Sequence, residues 1–186
     1  MLISSIANSS MKGAVVPISY TQLASPAGNF FLSSIPQVYQ DLILVINTRV
    51  TNSAMFSNLY VNLGSSNAPD GGNNYSFTFM QGNGVATSSG RFNSIASTNF
   101  GLVSGRGSAP ANFGTSIINI FNYSSSSTFK TFLCKNANDM NGFGTTDLRV
   151  GLWRNTAALN YIQLGSDGTF DSGSTAALYG VRRIGQ

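Results

Sequence analysis

The apolar residues of this chain come in short bursts, each closed by a cluster of glycine, serine or asparagine. No other feature of the sequence constrains the fold as strongly. An amphipathic helix needs an apolar stripe recurring about every 3.6 residues, carried by good helix formers. Lys and Arg together number only 10, and Glu is absent. The abundant Ser, Thr, Asn and Gly favour turns and caps over helix interiors. The pattern predicts an all-β fold.

The bursts place the strands. Val15–Leu23 contains Pro17, which suits an edge or a strand start. Asn29–Ser33 carries Phe30 and Phe31, and Asp41–Val50 holds the longest apolar run, Leu42 to Ile46. That continuity predicts a central strand buried on both faces. Leu59–Leu63 and Tyr75–Met80 alternate. Ser116–Tyr123, Phe129–Lys135, Leu148–Arg154, Ala158–Leu164 and Thr175–Val181 complete the set. Residues 67–74 read as a loop, and Ser124–Ser127 and Gly165–Gly168 as connections between strands. Residues 82–115 read as a long loop with one or two short strands. About ten strands without a βαβ pattern imply a two-sheet antiparallel β-sandwich of jelly-roll type. Residues 1–16 read as an N-terminal arm and 17–186 as the sandwich domain.

Composition narrows the chemistry. The 186-residue chain has no His, and all six of its acidic residues are Asp. His-assisted nucleophiles, His metal ligands and Glu acid/base pairs are thereby excluded. Non-enzymatic function with no cofactor and no metal is the expectation. The net charge of +4 is spread thinly rather than clustered, which argues against a nucleic-acid footprint. The lone Cys134 reads as a small buried hydrophobe. The N-terminus does not read as a signal peptide, and no stretch has the length of a membrane span, so no membrane partner is expected.

Individual motifs are mostly structural. The glycine pairs Gly82/Gly84 and Gly105/Gly107 read as loops. Asp167 and Asp171 could offer oxygens to a cation, but turn aspartates bonding their own backbone are the simpler reading. Arg49, Arg149 and Arg154 lie on strands, where exposed arginine discourages edge pairing. Tyr60, Asn73, Asn74 and Tyr75 could form a saccharide surface from an aromatic platform and amides. Against this, Tyr75 alternates with Phe77 and Phe79 and so points to the core. Trp153 reads as an anchor between the sheets, or else as a surface stack for a sugar in the same saccharide site.

Two segments carry a resemblance. Phe31, Ile35, Pro36, Tyr39, Asp41 and Leu42 open one, and Gly173, Ser174, Leu178, Tyr179, Gly180 and Val181 close the other. Together they resemble a family of tailed-bacteriophage virion proteins found as tail-fibre, receptor-binding and capsid-decorating modules. The resemblance implies a virion location, with assembly in the host cytoplasm. It implies other virion proteins as partners, namely a major capsid protein or tail proteins. A homo-oligomer such as a trimer and a host surface glycan are further partners it suggests. The expected role is a small accessory subunit that decorates or cements the capsid, with Leu2, Ile3, Ile6, Val15 and Val16 of the arm docking in a partner groove. The alternatives are a tail-fibre-like module or a carbohydrate-binding receptor module.

Overall fold

A computed structural model describes residues 14–140 and 142–182. Leu2, Ile3 and Ile6 of the expected arm lie outside the described residues. Among the described residues thirteen strands follow one another: β1 (Val15–Gln22), β2 (Ala27–Leu32), β3 (Asp41–Thr48), β4 (Phe56–Ser65), β5 (Ala68–Pro69), β6 (Tyr75–Gly82), β7 (Thr87–Ile95), β8 (Thr98–Ser104), β9 (Gly114–Ile120), β10 (Lys130–Asp139), β11 (Gly144–Trp153), β12 (Tyr161–Phe170) and β13 (Thr175–Val181).

They form a two-sheet antiparallel sandwich. The larger sheet runs β1-β13-β3-β9-β10-β11-β6-β7. The smaller runs β2-β12-β4, with β5 and β8 also pairing with β4. Successive strands switch sheets from β1 to β4 and again from β11 to β13, a crossing pattern consistent with the jelly-roll class.

Alternation decides the core. Leu42, Leu44 and Ile46 of β3, Leu59, Val61 and Leu63 of β4, and Ile118 and Ile120 of β9 are all buried between the sheets. Each contributes about 1.5–3 kcal/mol relative to exposure. Phe100 and Phe132 meet edge to face with their ring centroids 4.7 Å apart. Cys134 is buried as expected, and burial pushes its thiol pKa up to about 12.

The structure corrects several expectations. β3 is central, but its burial alternates, and Ile43 and Val45 are only half-buried on the outer face. Residues 82–115 contain two full strands: β7 pairs with β6, and β8 with β4. Gly165–Gly168 lies inside β12, where the register with β2 shifts between Gly165 and Phe170. Val15 and Val16 belong to β1, opposite Val181 and Gly180.

The resembling segments are held by packing. Ile35 and Leu42 are buried. The Tyr123 hydroxyl donates to the Pro36 carbonyl. The Asp41 carboxylate accepts the Asn122 amide N–H at 2.8 Å. Gly173 has a φ of +85°, which a side chain would strain. The Tyr39 ring lies directly over Gly180, where an added Cβ would sit 2.3 Å from it. Leu178 is buried. Tyr179 faces outward and its ring is half-buried, because it is out of phase with Leu178. Phe31 is also exposed, beside Tyr161 at 6.3 Å.

Replacing Gly180 by Ala forces the Tyr39 ring off the strand. Gly180→Ala is expected to destabilise the fold by about 1–3 kcal/mol, read from chemical denaturation midpoints.

Candidate functional site

Two surfaces offer more than packing, and both follow from β11. Along this strand Asp147, Arg149 and Trp153 point inward, while Leu148 and Val150 point to solvent. The usual binary pattern is inverted. Charge goes in and apolar surface goes out.

The inward side builds a groove. Arg149 is 5% exposed and Asp147 wholly buried as side chains, with a 3.3 Å ion pair between them. Arg149 also donates to the Asn99 carbonyl at 3.2 Å and to Asn99 Oδ1 at 3.0 Å. Asn99 Nδ2 donates to Asn58 Oδ1 at 2.9 Å, and Asn58 Nδ2 to Asp167 at 2.8 Å. A polar chain thus runs from exposed Asp167 to buried Asp147. Opposite it stand Phe77, Phe79 and Phe92. Phe92 stacks on Phe77 at 5.0 Å, and the Arg149 guanidinium lies 5.1 Å from the Phe79 ring. Tyr60, Gln81 and these side chains line a cavity of about 420 Å³.

Electrostatics differ along the chain. Burial raises the Asp147 pKa above the ordinary aspartate value, against the opposing pull of Arg149. Partial burial would raise that of Asp167 too, but hydrogen bonds from Tyr60 and Asn58 hold it below the usual range. Burial and the neighbouring Asp167 push the Tyr60 phenol up.

The outward side builds a face on the large sheet. Val45, Ile117, Lys135, Leu148, Met80 and Ser89 lie side by side in register across β3, β9, β10, β11, β6 and β7. Leu133 and Val150 form the next row. Met80 is 64% exposed, and Ile117, Leu148 and Val150 between 40% and 47%. The face is concave there, enclosing about 760 Å³.

The residues expected to form a saccharide platform do not come together. Tyr75 is buried, and its hydroxyl donates to the Leu63 carbonyl at 2.7 Å, tying the large sheet to the small one. Trp153 is buried as the anchor, with its indole N–H donating to Asp70 at 2.8 Å. Asn74 Nδ2 also donates to Asp70, at 2.9 Å. Asn73 lies on the exposed loop, and its carbonyl accepts from Arg154. Only Tyr60 joins the aromatic groove. Arg49 and Arg149 are buried rather than exposed. Asp167 and Asp171 turn to different partners, Asn58 and Arg106, and no group of three His, Cys, Asp or Glu side chains gathers among the described residues. The sequence reading missed Phe79, Phe92 and Arg149 as a unit. The signal was the phase of β11: Asp147 and Arg149 lie an even number of residues from Trp153, the expected anchor.

No protein-family model, curated protein or solved structure matches the chain.

Asp70 fixes the loop that closes this end of the sandwich. Partial burial would raise its pKa, but hydrogen bonds from Trp153, Asn74, Gly72 and Asn155 outweigh that and hold it low. A depressed aspartate stabilises the fold above its unfolded pKa, and the stability is lost as pH falls through the folded value. Thermal melts should therefore show stability declining below about pH 4, with a shallower decline in Asp70→Asn. Asp70→Ala leaves the Trp153 N–H without its acceptor and is expected to cost about 1–3 kcal/mol at neutral pH, measured by denaturant titration.

Proposed function

We propose that the chain is a non-enzymatic structural subunit of a tailed-bacteriophage virion, an accessory protein that decorates or cements the capsid. The virion part of this reading rests on the resemblance carried by Phe31–Leu42 and Gly173–Val181. The docking part rests on one observation: the exposed apolar band on the concave outer face of the large sheet. Contiguous apolar surface of this kind on a regular strand pattern marks interaction sites. The band carries Lys135 as a cation at its centre, so the matching surface would be apolar with a carboxylate placed to meet it. Residues 1–13 lead into β1 at the edge of the same sheet, and Leu2, Ile3 and Ile6 would add a second point of attachment. Copies held at several points gain avidity without stronger individual contacts.

The test is reconstitution on capsids that lack the chain. The parent protein should bind to saturation at a stoichiometry that fits the capsid lattice. Combined Ile117→Asp and Leu148→Asp should weaken binding about 100-fold or more while leaving the melting transition nearly unchanged. Deletion of residues 1–13 should also weaken it. Saturable binding to tails, with none to capsids, would move the subunit to the tail. Binding to neither particle would overturn the virion reading.

A further inference from the structure

The aromatic groove beside β6 and β7 has a chemistry that the outer face lacks. Its aromatic wall is left partly open: Phe92 is 49% exposed, although it stacks on Phe77. Its polar side is built from amides. Asn58 and Asn99 are fixed in orientation by the chain that links Asp167 to Arg149, which uses one N–H of each amide and leaves one. Orientation fixed in advance lowers the cost of binding. Gln81, a half-buried amide side chain, lines the same cavity. Arg149 is paired with Asp147, whereas Asp167 is met only by the neutral Asn58 and Tyr60 and keeps its negative charge at the exposed end of the groove. An acidic ligand would meet that carboxylate and be repelled.

Flat apolar rings opposite oriented amides suit a ligand with an apolar face and a rim of hydroxyls. A cavity of about 420 Å³ falls within the usual size of small-molecule sites. A peptide added as a strand would instead seek free backbone groups, and the polar side here is made of side-chain amides. We propose that this groove binds a neutral saccharide, its ring stacked on the exposed Phe92 and its hydroxyls held by Gln81, Asn99 and Tyr60. The proposal does not rest on the virion reading, because it concerns a different surface.

The full chain is applied to an array of defined neutral and acidic oligosaccharides, and the best neutral binders are titrated by calorimetry. Phe92→Ala and Gln81→Ala should each weaken binding about tenfold. Phe31→Ala, at an exposed aromatic on β2, should leave it unchanged. Melting curves and near-ultraviolet circular dichroism establish that each variant is folded. Equal binding by the parent and both groove variants would overturn the proposal. So would binding confined to acidic sugars, or no saccharide bound above background. An apolar peptide captured in place of saccharides and released by Phe92→Ala would assign the groove to protein docking instead.

Discussion

The two sheets are joined through a hydrogen-bonding problem solved at one end of the sandwich. Tyr75 belongs to the large sheet, and its hydroxyl both donates to the Leu63 carbonyl and accepts the Leu63 N–H of the small one. Trp153, its cross-strand partner on β11, donates to Asp70 on the connecting loop. Two large rings are wholly buried there, and each would leave a polar group stranded without its partner. The loop geometry, the register of β6 against β11 and the spacing of the sheets all have to agree for both bonds to form.

Beyond this end, the interior changes character. Lys130, beneath Trp153, is fully buried and gives its ammonium protons to the carbonyls of Ser125, Thr128 and Thr156. Further along, Asn136 bridges the Leu102 carbonyl and Ser116, and Ser104 donates to Asn138. Asp147 and Arg149 follow. A core that turns from aromatic to amide-rich along its length specifies register more sharply than apolar packing alone, since a slip would strand several polar groups together. The same gradient leaves aromatic and amide groups side by side where the interior opens into the groove.

Most of the strands were legible because their apolar residues alternate or run together, as in Leu59–Leu63 and Leu42–Ile46. Residues 82–115 were legible only as holding one or two short strands. The extent of β7 was not, since an edge strand exposed on both faces needs no apolar period. That of β8 was obscured for the opposite reason: it is buried on nearly every residue, so no alternation survives in Thr98–Ser104. The groove was obscured by a sound general rule, that arginine on a strand points to water. Arg149 breaks it because Asp147 and Asn99 supply its partners from positions that only the folded register brings near. Phe92 joins Phe77 through a pairing that slips between Tyr75 and Phe77, and a spacing rule cannot anticipate a bulge.

The position of β13 between β1 and β3 bears on how the chain reaches its native state. β1 and β13, the first and last strands among the described residues, are direct neighbours, with Val15 opposite Val181. During synthesis β1 therefore waits for β13 before its partner is present, and β3 lacks one of its two neighbours for the same interval. Contacts so distant in sequence make folding slow, and strand edges left waiting are open to pairing with other chains. The fold completes only as a whole. The Gly180 backbone that fits beneath Tyr39 belongs to the strand that closes it.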